Sequence, residues 1–208
     1  MIRTAFATGL LPVLLLLTAA ALRAGSPPPV REGDLIFQTS RSAQSLAVQK
    51  ATGSPYSHMG IVLLRGGRPC VFEAVSTVRY TPLEAWIRRG QGGRYVLKRL
   101  VRAETLLTPS ALRRMKAAAR TFEGRPYDLT FEWSDRRIYC SELVWKLYKQ
   151  TLGLEIGTLQ RLRDFRLEDP AVRTKMKARY GSAIPLDEPV ISPAAMFESS
   201  LLSTVAPR

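Results

Sequence analysis

The apolar positions of this chain follow two periods. After Gly33-Asp34, the run Leu35-Ile36-Phe37 is short and apolar throughout, which fits a first strand. Over residues 42–51, Ala43, Leu46 and Ala47 fall at helical spacing, and Gly53-Ser54-Pro55 breaks that helix. Residues 58–64 and 71–75 read as strands, joined by Arg65-Gly66-Gly67-Arg68-Pro69, a turn by composition. Residues 82–88 give one or two helical turns, and 95–100 another strand. Thr108 is a suitable N-cap with Pro109 at the first helical position, so a helix is expected from there to about Phe122, ended by Gly124. Leu143, Val144 and Leu147 share one face of a helix that begins near Cys140. Residues 171–180 look helical, and a further short helix follows Ser192-Pro193 within 189–197.

The glycine pair says more than the strands alone. If Gly66-Gly67 is a two-residue turn, the tightest hairpin connection, then Leu64 faces Pro69, Val62 faces Val71, Gly60 faces Glu73 and His58 faces Val75. Side chains alternate along a strand, so His58 and Glu73 share a face as diagonal neighbours, about 7–8 Å apart at Cα and closer at their tips. A carboxylate that accepts from one imidazole nitrogen fixes which nitrogen is left to act as a base. A slip of one residue would turn Glu73 to the other face, so the pairing depends on the turn.

His58 is the only histidine, and Cys70 and Cys140 are the only cysteines. In the same register Cys70 faces Leu63, on the face away from His58 and five strand residues along, roughly 17 Å. Cys140 lies at the start of a helix, where unpaired N–H groups and the helix dipole favour a thiolate and offer hydrogen bonds to an oxyanion. Two bland readings compete: a Cys70–Cys140 disulfide, and a histidine with a purely structural role. This donor set has no zinc spacing, and neither a metal nor a cofactor is expected.

The 208 residues suffice for one substantial core, and one domain is expected over 32–208. The first 24 residues stand apart from it. Met1-Ile2-Arg3 is a short positive start, 10–17 is an apolar run, and Thr18-Ala19-Ala20-Ala21 and Ala24-Gly25 supply small residues. That is the pattern of a secretory signal peptide over 1–24, followed by a Pro-rich linker over 25–31. An uncleaved anchor is the alternative, but a bilayer span needs about 20 apolar residues. The expectation is an exported protein of the periplasm or cell envelope. A formal net charge of +14 then points to an anionic envelope surface, a lipid or a wall polymer, although arginine-rich composition is also a genome-wide habit. Nucleic acid is not expected, since no zinc-finger, RNA-binding or basic heptad pattern is present.

Three motifs occur in order: Ser57-His58-Met59-Gly60-Ile61-Val62, Phe72-Glu73-Ala74, and Tyr139-Cys140-Ser141-Glu142-Leu143-Val144. Together they resemble the permuted papain-like NlpC/P60 group, the amidases of the YiiX/YebB type. Gly33-Asp34-Leu35-Ile36-Phe37 resembles the group's opening strand, so the likeness spans residues 31 to 150. Ordinary NlpC/P60 enzymes run cysteine, histidine, polar residue; here the order is histidine, polar residue, cysteine, as in the permuted members. The resemblance implies an α+β, circularly permuted papain-like fold, a small antiparallel sheet packed against helices with the cysteine at a helix N-terminus. It gives Cys140, His58 and Glu73 the roles of nucleophile, base and orienter. The implied reaction is hydrolysis of an amide through a thioester acyl-enzyme, on a cell-envelope peptide or a lipid or amino-acid amide. The alternatives are an acyltransferase or lipid esterase on the same fold, or a non-catalytic lipid- or wall-binding module. Tyr139, Tyr56, Asp34 and Ser141 are candidate substrate-binding residues. Glu142 reads first as a charge complementing the helix dipole, and Phe131, Trp133, Trp145 and Tyr148 either pack a core or form an acyl-binding wall.

Overall fold

The computed structural model describes residues 30–207, so the leader and most of the Pro-rich linker lie outside the described residues. The elements run β1 (Leu35–Gln38), α1 (Ser45–Thr52), β2 (His58–Arg65), β3 (Arg68–Ala74), β4 (Val78–Pro82), α2 (Leu83–Arg89), β5 (Val96–Leu100) and α3 (Ala103–Leu106). After them come α4 (Pro109–Phe122), α5 (Cys140–Leu152), β6 (Gln160–Arg161), α6 (Pro170–Tyr180), β7 (Pro189–Val190), α7 (Pro193–Phe197) and β8 (Leu202–Pro207). Six strands form one antiparallel sheet in the order β4-β3-β2-β1-β5-β8, and β6 pairs with β7 apart from it.

The β2–β3 hairpin has the expected register, with Val62 opposite Val71, Leu63 opposite Cys70 and Leu64 opposite Pro69. Gly66 and Gly67 take φ of 58° and 75°, the left-handed pair that a tight hairpin requires and that glycine adopts without strain. The alternation of β1–β3 then sorts side chains between two clusters. Leu35, Phe37, Met59, Ile61, Leu63 and Phe72 meet α4 and α5 on one face. Ile36, Val62, Val71 and Leu97 lie in the other cluster with Trp86 and Tyr95. Three helices start on the same local device, a side-chain cap followed by proline. Thr108 accepts from Ala111 N, Asp169 from Ala171 N, and Ser192 from Ala195 N, each with Pro at the next position.

Four strands and one helical turn have no counterpart in the sequence pattern: β4, β6, β7, β8 and α3. Val78–Pro82 is too short for its alternation to register, and Pro82 ends the strand and precedes α2 instead of opening the helix. Leu202–Pro207 is an edge strand with a register shift opposite Leu97/Lys98, and Ser203 and Thr204 are exposed, so no apolar stripe marks it.

Gly60 is fixed by close approach. A Cβ there would lie 2.4 Å from Val71 Cγ1 and 2.8 Å from Phe72 O, beside Glu73 Cβ at 3.3 Å. Gly60→Ala is therefore expected to destabilise the fold by about 1–3 kcal/mol, the usual cost of overpacking a filled interior. The midpoint of urea unfolding checks this, and an unchanged midpoint would show that β3 yields freely at this point.

Candidate active site

Tyr139 is extended and Cys140 is the first residue of α5, so the cysteine sits among the amide groups that a helix leaves unpaired at its start. Glu142 reaches back to the Tyr139 amide, which donates to Glu142 Oε2 at 3.3 Å. The same turn is pinned from the other side. Ser141 Oγ donates to the Ile191 carbonyl at 2.8 Å, and Tyr139 Oη accepts from Ile191 N at 3.1 Å.

Although Cys140 belongs to the larger cluster and His58 stacks beside Trp86 of the smaller one, the two side chains meet at the start of β2. Burial opposes ionisation of the Cys140 thiol. Its hydrogen bond to His58, the His58 charge, and backbone hydrogen bonds from Met59 and Ser141 outweigh that and lower its pKa. Burial likewise opposes the His58 charge, but hydrogen bonds and charges from Cys140 and Glu73 push His58 up to about 9. Both shifts favour a thiolate–imidazolium pair.

Glu73 explains why the imidazolium is tolerated in the interior. Its carboxylate is fully buried and bonded on both oxygens. Oε2 meets His58 Nε2 at 2.6 Å and accepts from Trp86 Nε1 at 2.9 Å. Oε1 accepts from Thr81 Oγ1 at 2.6 Å and Arg89 Nη2 at 2.6 Å. Burial alone would raise the Glu73 pKa, yet His58 and Arg89 lower it to about 2. Because Nε2 is held by Glu73, Nδ1 is the nitrogen left for the thiol.

A cavity of about 80 Å³ opens beside Cys140. Its walls are mainly apolar, with Val48 from α1, Phe165 and Leu167 from the segment before α6, and Val172 and Met176 from α6. Gln44 and Tyr127 line it beside the cysteine, and Gln44 Nε2 donates to Tyr127 Oη at 3.3 Å. Burial, and then the charge of Cys140, hold the Tyr127 pKa well above the usual phenol range. The hydroxyl therefore keeps a proton to donate.

The structure thus brings Cys140, His58 and Glu73 together, and lines the cavity with Tyr139 and Ser141, whose polar atoms are committed to Ile191. It does not bring Asp34 or Tyr56 to the cavity. Asp34 is fully buried between the Arg99 side chain, at 2.7 and 2.8 Å, and the Arg31 amide, a pairing that anchors the start of β1 to β5. Tyr56 stacks on Phe197 at 4.2 Å. Of the aromatic set, only Phe131 reaches the cavity; Trp133 packs on Trp145, and Tyr148 is buried with its hydroxyl donating to the Gly33 carbonyl. Both cysteines are free thiols, so the disulfide alternative does not hold. Thr81, Trp86 and Arg89, which hold Glu73, lie outside the sequence motifs. Trp86 and Arg89 are spaced i, i+3 on α2, and only the packing of that helix on the sheet makes them partners of Glu73.

The permuted papain-like amidase family, YaeF/YiiX, C92, has a family model that matches residues 29–206. The chain belongs to that family. The protein YiiX of Escherichia coli (strain K12) is 48% identical over 174 residues, covering 84% of this chain and 85% of that protein. A crystal structure described as metalloprotein yiiX from Escherichia coli O157:H7, DUF1105, superposes with a TM-score of 0.82 at 47% identity, over 86% of this chain and 98% of that one. The family accounts for the chain order of the site. The α+β sheet-and-helix architecture is that of a circularly permuted papain-like fold, with histidine and carboxylate on the first hairpin and cysteine on a later helix.

Replacing Glu73 tests the site without touching the thiol. Glu73→Gln removes the charge that favours the imidazolium, so His58 should lose its proton more readily and the Cys140 thiolate should form less readily. Alkylation of Cys140 should be slower near neutral pH, with its midpoint moved upward. Superimposable rate–pH profiles for wild type and variant would show that Glu73 does not act through His58.

Proposed function

We propose that the protein is a cysteine amidase that transfers an apolar acyl group from an amine to water through a thioester on Cys140. The observation that carries this reading is the contact of Cys140 with His58, itself bonded to buried Glu73, at the mouth of an apolar cavity. In the first half-reaction Sγ forms a bond to the substrate carbonyl carbon. The oxyanion is received by the free amide of Cys140 and the Tyr127 hydroxyl. The C–N bond then breaks as His58 gives its proton to the leaving amine. In the second, water attacks the thioester and passes a proton to His58. The C–S bond breaks, and the thiolate–imidazolium pair is restored with a free carboxylic acid as product. Throughout, Glu73 holds the ring by Nε2 and carries charge opposite to the imidazolium.

The related crystal structure is described as a metalloprotein, but the residues of this chain do not fit a metal centre. Among the described residues no group of three His, Cys, Asp or Glu side chains could hold an ion. Glu73, the carboxylate nearest the thiol–imidazole pair, already accepts from Arg89, Trp86 and Thr81. The secretory pattern of residues 1–24 supports an exported enzyme acting on an amide of the cell envelope, and the net charge of +14 suits an anionic surface there.

Cys140→Ala and His58→Ala are each expected to abolish turnover with the fold retained. Incubation with envelope extract followed by mass spectrometry, wild type against Cys140→Ala, reads both activity and product; equal product in the two would reject the mechanism. The pH profile carries a second check. As pH rises through about 9, His58 loses the proton that the leaving amine needs. Turnover should fall on that alkaline side, whereas alkylation of the thiolate should not.

A further inference from the structure

The α6 wall of the cavity carries charge the mechanism leaves unused. Lys175 and Arg179, one turn apart, line the cavity beside Val172 and Met176. Among the described residues neither has a carboxylate within ion-pair distance. Arg179 is half-buried, and burial lowers its pKa from the ordinary arginine value. Its Nη2 donates to Gln44 Oε1 at 2.6 Å, and its guanidinium lies 5.0 Å from the centre of the Phe131 ring. Gln44 in turn donates to Tyr127, whose proton feels the charge of Cys140. Arg179 is therefore linked to the reacting sulfur through two side chains. A guanidinium has five donors, and one is used here.

Phe131 gives a second, independent mark of construction at this point. It is the one non-glycine residue with positive φ among those described, at 51°. A bulky residue holds that conformation only where its surroundings over-determine it. Its ring is wedged edge-on against Tyr139 at 5.1 Å, with the Arg179 guanidinium over it. The strained residue thus supports the cation at the cavity mouth.

We infer that Arg179, seconded by Lys175, receives a carboxylate carried by the amine half of the substrate, so that the substrate is an N-acyl amino acid whose short apolar acyl group occupies the cavity. The link to Cys140 through Gln44 and Tyr127 favours an anion held near the scissile bond. In an N-acyl amino acid the carboxylate is two bonds from the scissile nitrogen, and so stays close to the reacting carbonyl while the acyl chain extends into the cavity. A planar guanidinium also matches a carboxylate by two parallel hydrogen bonds. The inference rests on the amidase reading for the position of the scissile bond, and binding tests it separately from turnover.

The probes are N-butanoylglycine and its neutral counterpart N-butanoylglycinamide. Calorimetric binding to Cys140→Ala protein should favour the acid, and Arg179→Gln in that background should weaken acid binding by roughly ten- to a hundredfold, the range for a charged hydrogen bond. Binding of the amide should stay unchanged. Arg179→Lys should keep part of the preference, which guards against reading a fold defect as lost recognition. In Cys140-intact protein the same substitution should lower kcat/KM more for the acid than for the amide. Equal binding of acid and amide to Cys140→Ala protein would overturn the inference. So would an equal loss of both on Arg179→Gln, which is what a mere latch to Gln44 predicts. Retained binding preference with no hydrolysis of either probe would support the carboxylate site and reject the amidase reading instead.

Discussion

The arrangement depends on one buried carboxylate. An isolated charge in a protein interior is costly, and it persists only with opposite charge and hydrogen bonds to hold it. Glu73 has both: His58 and Arg89 supply charge, and Thr81 and Trp86 supply neutral donors. These four partners come from β2, β4 and α2, so the group that orients the base also ties three elements around β3. Breaking a buried ion pair by removing one partner commonly costs about 3–5 kcal/mol, because the other charge stays behind. Stability and reactivity are joined at this residue, and neither His58 nor Arg89 can be understood without it.

Arg89 also limits what Glu73 can do. Held at about 2 by two cations, the carboxylate does not take up the His58 proton in any ordinary pH range. It can orient and compensate, but not relay. The proton economy of the site is confined to Cys140 and His58, with the phenol of Tyr127 kept neutral by burial and by the neighbouring thiolate.

The β2–β3 hairpin was readable because its geometry is local. Two glycines fix the turn, the turn fixes the register, and the period-2 alternation places His58 and Glu73 on one face. The start of α5 was readable for the same reason, from apolar spacing and the position of Cys140. That residue 58 meets residue 140 follows from no local rule, and the ordered motifs had to supply it. What stayed illegible is tertiary. Thr81 lies on a strand too short to show its alternation, and Arg89 becomes a partner of Glu73 only when α2 packs back on the sheet. Asp34 misled because an acidic residue beside a motif strand reads as functional, whereas here it closes an ion pair with Arg99. The α6 wall stayed hidden because its cavity face mixes Val172 and Met176 with Lys175 and Arg179, which in a sequence resembles an ordinary amphipathic surface.

The order of the site along the chain has a consequence for assembly. Histidine and carboxylate lie 15 residues apart on one tight hairpin, whereas the thiol comes from a helix far downstream. Contacts of short sequence separation close early, because little loop entropy opposes them. The base and its orienter can therefore pair while the C-terminal half of the chain is still unstructured. Cys140 gains its hydrogen bonds to His58 and the Met59 amide only when α5 docks against the hairpin. The permuted order makes thiol activation depend on a downstream helix, so a chain in which α5 has not docked holds a cysteine without the hydrogen bonds that lower its pKa.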